Sequence, residues 1–149
     1  MKRGFTLIEL MVVIAIIGIL TALIAFGMRG SLHSYNIQED SGRFRRFFYS
    51  AQKKLQADTL ATTWEIMVDE NTQKVYGRPG GAANFIDTLE FNPNDSIDIV
   101  GPSNIDFFTI SKSGTVTSLY DDYFYIINRN NTGKKMKITI TPLGEVKEE

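Results

Sequence analysis

The chain contains no cysteine among its 149 residues and only one histidine, His33. These two facts exclude thiol catalysis, disulfide bonds, cysteine metal sites and a metal centre built from several histidines. A phosphate-binding loop, a dinucleotide fingerprint and a zinc motif are also absent from the sequence. We therefore expect no enzyme, no catalytic residues, no cofactor and no metal site. Any exported domain must be held together by packing alone, although disulfides persist outside the cytoplasm.

Prolines are few, and all of them lie in the second half of the chain. The four prolines are Pro79, Pro93, Pro102 and Pro142, so nothing in the first 78 residues must break a helix.

The net charge of the chain is small, because lysine and arginine number 16 against 17 acidic residues. This balance does not favour a general nucleic-acid-binding protein, because such proteins carry a marked basic excess.

A long apolar run fills the proline-free N-terminus. Leu10–Phe26 is a run of 17 residues without a charge, and adding Phe5–Ile8 extends the apolar segment to 22 residues interrupted only by Glu9. As a helix it is ~33 Å long, enough to cross a hydrocarbon core of about 30 Å. Lys2 and Arg3 precede it, so the positive-inside rule predicts a cytoplasmic N-terminus and an exported remainder. A carboxylate inside such a segment is costly and normally has a function.

The stretch Gly4-Phe5-Thr6-Leu7-Ile8-Glu9 and the apolar run after it resemble the N-terminus of type IV prepilins and type II secretion pseudopilins. The resemblance implies cleavage between Gly4 and Phe5 by a prepilin peptidase, which also methylates the new amino group of Phe5. It implies that Glu9 is required for assembly with other pilin or pseudopilin subunits. Cleavage would leave 145 residues with 14 basic and 17 acidic side chains, a net charge of −3.

Two ordinary interpretations compete with this resemblance. A secretory signal has a basic start and a short apolar region, but this run is too long and Glu9 would lie inside it. A plain single-span anchor accounts for the length, yet it explains neither Gly4-Phe5 nor Glu9. In all three interpretations the residues after the run are exported.

The residues after the membrane segment predict a continuing helix with one apolar face. Spacings of three and four residues place six side chains on that face. We therefore expect one helix from about Phe5 to about Ala57. The face consists of Ile37, Ser41, Phe44, Phe48, Ala51 and Leu55.

From Thr62 onward the period changes to two, which is typical of strands. Strands are expected from Trp64 to Val68, at 74–76, at 105–110, at 123–128 and at 136–140, with a short one near 97–100 and a hairpin connection at 130–133. The predicted fold class is α+β, a type IV pilin-like fold with a long helix packed on an antiparallel sheet or small sandwich. The expected organisation is a leader (1–4), a transmembrane and assembly half of the helix (5–28), an amphipathic half (29–60) and a β-rich head (61–149).

A second resemblance lies in the head. Phe107-Phe108-Thr109-Ile110-Ser111-Lys112-Ser113-Gly114-Thr115 is similar to the strand-then-glycine element of GspH/FimT-type minor pseudopilins. Met136–Thr141 followed by Pro142-Leu143-Gly144-Glu145-Val146 is similar to their last strand and turn, and Ser50–Lys54 to their helix end. This implies a minor structural subunit of a pilus or pseudopilus, serving secretion, adhesion, motility or DNA uptake. It would be located in the bacterial inner membrane, with a periplasmic head, and then in the filament.

Two sets of charged residues in the head remain open. Arg129, Lys134, Lys135 and Lys137 form a candidate ligand patch, which suggests as an alternative a filament-tip module that contacts DNA or a secreted substrate. An ordinary solvated hairpin is the simpler interpretation. The scattered carboxylates match no calcium-loop spacing, so we interpret them as solvated loop residues. They are Asp87, Glu90, Asp95, Asp98, Asp106, Asp121 and Asp122.

Overall fold

The structure, a computed structural model, describes residues 6–149, with the side chains of 25–33 left out of the description. The chain divides into two compact units, residues 1–32 and residues 33–149. One helix, α1 (Leu7–Ala57), contributes residues to both units. The second unit, called the head below, also contains every strand of the described residues.

The nine strands follow the helix in chain order. They are β1 (Thr63–Asp69), β2 (Lys74–Pro79), β3 (Asp87–Glu90), β4 (Asp95–Asp98), β5 (Ile105–Ser111), β6 (Val116–Ser118), β7 (Tyr123–Asn128), β8 (Asn131–Ile140) and β9 (Val146–Glu148). They form two sheets in which all neighbours are antiparallel. The strand order is β3-β2-β1-β5-β6 in the first sheet and β4-β7-β8-β9 in the second.

The head part of α1 buries the face that its spacing predicts. All six predicted face residues are buried, and Phe44 and Phe48 are fully enclosed. The helix contacts both sheets: the ring centroids of Phe44 and Phe124 on β7 are 5.0 Å apart, while Phe47 approaches Gly77 on β2. Burying one such phenylalanine is worth about 1.5–3 kcal/mol, so this face is a main source of the stability of the head.

The two sheets meet the helix around one apolar core. Alternation along β1 turns Trp64, Ile66 and Val68 inward, and they are at most 2% exposed. Phe108 on β5 and Phe124 on β7 join the two sheets, with ring centroids 6.5 Å apart. The helix packed on antiparallel sheets confirms the predicted α+β class.

Several predicted details of the head were wrong. Strand β3 was not predicted, because Asp87 and Glu90 carry charges and only Leu89 is apolar; pairing with β2 makes it a strand. Strand β2 is longer than the predicted 74–76, since it extends to Pro79. The connection expected at 130–133 is shorter, because β8 begins at Asn131.

One further prediction needs adjustment, since the short strand expected near 97–100 lies at Asp95–Asp98. Strand β6, which starts at Val116, was not predicted and pairs antiparallel with β5. The chain reverses at the turn between them, where Gly114 adopts a φ of 87° and its amide donates to the Ser111 carbonyl at 2.9 Å.

Candidate functional site

The start of α1 is closed by a reciprocal set of hydrogen bonds between Thr6 and Glu9. The Thr6 backbone amide and the Thr6 hydroxyl each donate to Glu9 Oε2 at 2.8 Å. The Glu9 amide donates back to Thr6 Oγ1 at 3.3 Å. This is a capping box, in which side chains satisfy the amides that lack a carbonyl partner in the first helical turn. Sequence reasoning missed Thr6, although the Thr-x-x-Glu spacing was a sufficient signal.

Beyond this cap the helix exposes apolar side chains on all sides. Leu7–Ile24 is long and apolar enough to cross a membrane, with a mean hydropathy of 2.9. The least exposed of its large apolar side chains, Val13, is still 45% exposed, and Leu7 is 77% exposed. An apolar surface of this extent is unfavourable in water, so it indicates lipid or other helices as its normal surroundings.

The predicted cleavage and methylation site, Gly4 and Phe5, lies outside the described residues. Glu9 is described and lies on the first turn of the helix, three residues after Thr6. The structure therefore places one of the three predicted N-terminal site residues.

The four basic residues of the candidate ligand patch are only partly brought together. Lys135 and Lys137, two residues apart on β8, lie over tyrosine rings: Lys135 Nζ is 4.7 Å from the ring centroid of Tyr125, and Lys137 Nζ is 4.2 Å from that of Tyr123. Lys137 Nζ is also 3.9 Å from a Glu149 carboxylate oxygen. Two of the four cations thus form one Lys-Tyr surface on the outer side of the second sheet.

Arg129 and Lys134 are placed differently. Arg129 lies in the turn between β7 and β8, where its amide donates to the Asn94 carbonyl at 2.7 Å. Lys134 and Lys135 line one rim of a shallow depression of about 180 Å³ beside Ile37 and Met136. This depression is open to solvent, and no acidic residue is among the described residues that line it.

The scattered carboxylates do not converge on a metal-binding position within residues 6–149. Asp87 contacts Lys54 and Glu90 contacts Lys74, each at 2.6 Å. The interpretation of all seven as solvated was wrong for Asp95 and Asp106, which are 2% and 0% exposed.

Asp106 Oδ1 accepts the Phe107 amide at 2.7 Å and the Tyr120 amide at 3.3 Å, which holds the segment after β6 against β5. Burial nevertheless raises the pKa of Asp106 above the ordinary value for aspartate.

A buried carboxylate on the helix was also missed. Asp40 lies directly before Ser41 of the predicted face and is only 1% exposed. Its Oδ2 accepts the Asn92 amide at 2.7 Å. Burial raises the pKa of Asp40, although the bonds from Asn92 and from Arg43 act in the opposite direction. A polar residue beside an apolar helix face gave no signal of burial, because the amide that it accepts, that of Asn92, lies 52 residues away in the chain.

Comparison with known proteins adds two findings. The prokaryotic N-terminal methylation motif matches residues 1–25. The fold resembles the type IV minor pilin FimU of Pseudomonas aeruginosa, with a TM-score of 0.56 and 13% identity over 76% of this chain and 87% of that one. Together these findings support a pilin or pseudopilin assignment.

A second pilin-like structure agrees. The minor pseudopilin EpsH of the Vibrio cholerae type 2 secretion system gives a TM-score of 0.53 at 10% identity, covering 76% of this chain and 96% of that one. At such identities the likeness concerns the fold alone. A comparison with curated protein sequences gives no match. The methylation motif therefore carries the sequence evidence, and the likeness of the head to these structures concerns its fold.

Proposed function

We propose that this pilin-like chain is a structural, minor-type subunit of a type IV pilus or a type II secretion pseudopilus, assembled through its N-terminal helix. The observation that carries the proposal is the apolar surface of Leu7–Ile24, exposed on every side. Hiding apolar surface from water is worth about 25 cal/mol per Å², so the segment needs an apolar environment. A filament subunit has two in succession: the membrane before assembly, and neighbouring helices afterwards.

Each part of the chain has its own role in such a subunit. Residues 1–4 are a leader that prepilin peptidase removes between Gly4 and Phe5, and Phe5 is then methylated. Residues 5–28 span the inner membrane and later contact neighbouring subunits, with the N-terminus initially cytoplasmic. Residues 29–60, the amphipathic half of the helix, and residues 61–149, the β-rich part, lie in the periplasm. The methylation motif at residues 1–25 supports this order.

Glu9 would then have two partners in succession. Its bonds to Thr6 both use Oε2, and they survive cleavage because the Phe5–Thr6 peptide bond is retained. The positively charged amino group of Phe5 on an adjacent subunit is a suitable partner for the same carboxylate. It lies four residues before Glu9, so a stagger of ~6 Å between neighbouring helices brings the two charges together. Away from water such a pair is much stronger than at a protein surface.

Three variants separate the cap from the charge. Glu9→Gln keeps a side chain that closes a capping box but removes the charge. Thr6→Val removes the hydroxyl partner and keeps the charge. Glu9→Ala removes both. If the charge pair drives assembly, Glu9→Gln and Glu9→Ala lose filament incorporation and Thr6→Val retains it. The measurement is the filament-associated fraction divided by the cleaved fraction for each variant, with wild type as reference.

The opposite pattern contradicts the proposed role of Glu9. If Glu9→Gln is incorporated into filaments at wild-type level and Thr6→Val loses incorporation, Glu9 acts only as a helix cap. Recovery of Glu9→Ala in sheared filaments at wild-type level would mean that neither role matters for assembly. Loss of a helix cap costs about 1 kcal/mol of helix stability, so the effect of Thr6→Val on assembly should be modest beside that of losing the Glu9 charge.

A second role, ligand binding by the head, is favoured by the Lys-Tyr surface of Lys135, Lys137, Tyr123 and Tyr125. Cations beside aromatic rings suit an anionic ligand such as DNA or an acidic secreted substrate. We expect replacement of the four basic patch residues by glutamine to spare assembly. Loss of binding to a labelled DNA duplex in that variant would support the second role. Equal binding by wild type and variant would remove the case for DNA.

A further inference from the structure

Strand β4 is an edge of the second sheet, because it pairs with β7 on one side only. Hydrogen-bonded pairs alternate along an antiparallel ladder, so every second residue of an edge strand turns its amide and carbonyl away from its neighbour. At the end of this ladder the Arg129 amide donates to the Asn94 carbonyl at 2.7 Å, which fixes the phase. Asp95 and Ile97 are therefore the residues of β4 whose backbone groups point to the free edge. Such groups are a template for pairing with a strand of another chain.

The side chain of Gln73, in the turn between β1 and β2, occupies the place of a neighbouring strand beside Ile97. Its Oε1 accepts the Ile97 amide at 2.6 Å, and its Nε2 donates to the Ile97 carbonyl at 3.4 Å. Nε2 also donates to the Glu70 carbonyl within the same turn. A glutamine amide has an acceptor oxygen and two donor hydrogens. It therefore supplies both bonds that an adjacent strand would make with Ile97.

The other outward-facing amides of this edge are bonded as well. The Asp95 amide donates to the Asn92 carbonyl at 2.9 Å. Just after β4, the Ile99 amide donates to Glu70 Oε2 at 3.3 Å. An incoming strand would therefore have to displace the side chains of Gln73 and Glu70 before it could pair with β4.

The backbone of Gln73 does not explain why a glutamine occupies this position. Its φ is 58°, and within residues 6–149 it is the only residue other than glycine with a positive φ. A residue with a Cβ is unfavourable in this left-handed region, where glycine, asparagine and aspartate are the common residues. The bonds from the glutamine side chain to Ile97 and Glu70 offset that cost. The residue type thus fits the free edge of β4 and not its own turn.

We propose that Gln73 caps the free edge of β4 and thereby blocks strand pairing between this edge and that of a second copy of the chain. With Gln73 in place, both outward backbone groups of Ile97 are already bonded. Without it, these groups face solvent, and the β4 edges of two copies pair. This property belongs to the head and does not depend on the filament role.

The first test uses the unmodified full chain in detergent micelles and follows hydrogen exchange of side-chain amides by NMR. The NH₂ protons of Gln73 should exchange at least about fivefold more slowly than those of Gln38, which is exposed on α1, because exchange requires the bonded amide to open. Equal exchange of the two glutamine side chains would overturn the proposal. Because no residue is changed, this measurement does not depend on whether a variant folds.

The second test compares Gln73→Gly with Asn71→Ala. Glycine adopts the left-handed backbone freely, so Gln73→Gly keeps the turn and removes only the side chain. Asn71→Ala is the matched control, since Asn71 lies in the same turn but accepts a bond from Asn104 Nδ2 at 3.2 Å and none from β4. The chain contains no cysteine, so a nitroxide on Asp98→Cys, on β4, is the sole label in each protein.

Dipolar broadening between labels on different copies should increase with protein concentration in Gln73→Gly. It should be absent from the labelled wild type and from labelled Asn71→Ala at the same concentrations. At the lowest concentration, exchange of the Ile97 amide should be at least about fivefold faster in Gln73→Gly than in the other two proteins. Faster exchange without broadening at any concentration would mean that Gln73 only joins the two sheets, which refutes the proposed block. Unchanged exchange in Gln73→Gly would refute the cap itself.

Discussion

Replacing Gly144 by alanine tests the packing between the β8–β9 turn, the helix and the β5–β6 turn. Gly144 adopts a φ of 79°. An alanine Cβ there would lie 2.6 Å from Gln52 Nε2 on α1 and 2.9 Å from the Gly114 backbone oxygen. Gln52 could move, but it would lose its bond to the Gly144 carbonyl at 3.2 Å. The backbone oxygen is held in a turn, so relief there requires both turns to shift.

The expected loss follows from two separate costs. A residue with a Cβ in the left-handed region costs roughly 1–2 kcal/mol relative to glycine. Forcing an atom into occupied space typically costs about 1–3 kcal/mol more. Gly144→Ala should therefore reduce the free energy of unfolding by about 2–5 kcal/mol. Gly114 is the matched control, because its φ is 87° but a Cβ there meets nothing within 4 Å. Gly114→Ala should lose only the first part, about 1–2 kcal/mol.

Urea unfolding of the full chain in detergent, followed by fluorescence, measures both losses. Trp64 is the sole tryptophan of the chain and is 2% exposed, so its emission reports on the head. The slope of free energy against urea should be unchanged in both variants, since the surface exposed on unfolding is the same. Equal losses for Gly144→Ala and Gly114→Ala would refute the reasoning, because the close contact with Gln52 and Gly114 would then cost nothing.

Three further predictions concern processing, pH and metals. Mass spectrometry of the N-terminal peptide should find a chain that starts at a methylated Phe5; a start at Met1 or near Phe26 would contradict a prepilin. The pKa of Asp106 is raised by burial, so the folded head binds a proton that the unfolded chain releases, and stability should fall as pH rises from the ordinary aspartate pKa through the raised one. Asp106→Asn should flatten that decline in urea titrations at several pH values, and an unchanged decline would count against a raised pKa. Thermal unfolding with and without a chelator should coincide, whereas a large shift would reveal a metal site.

The sequence predicted those parts of the fold whose periodic pattern lies within a single helix or strand. The helix face from Ile37 to Leu55 and the alternation along β1 follow from periodicity, because a buried face repeats at the period of its own element. β3 has no such signal. It becomes a strand through pairing with β2 and through the ion pairs of Asp87 with Lys54 and of Glu90 with Lys74. Tertiary contacts of this kind are not encoded within the four residues themselves.

The candidate sites divide in the same way. Glu9 was singled out because a carboxylate in an apolar run is costly wherever the run is placed. Asp40 and Asp95 were not, because a carboxylate in an amphipathic helix or a loop is ordinarily solvated. In the folded head they are hydrogen-bonded to Asn92 and Asn128, which lie 52 residues from Asp40 and 33 residues from Asp95 in the chain. Buried polar groups that need distant partners are therefore the features a single sequence conceals.

The uneven similarity of the two ends of the chain has a physical explanation. Residues 1–25 match a sequence motif, whereas the head matches solved pilin-like structures at only 10–13% identity. A core such as that around Phe44, Phe108 and Phe124 needs apolar side chains of suitable volume, and many combinations satisfy it. If the proposed function is right, the N-terminal segment has stricter requirements. A peptidase must recognise the junction at Gly4 and Phe5, and a charge at Glu9 must meet its partner on another helix. Each of those contacts specifies a residue type at one position, which keeps a motif recognisable where a fold alone would not.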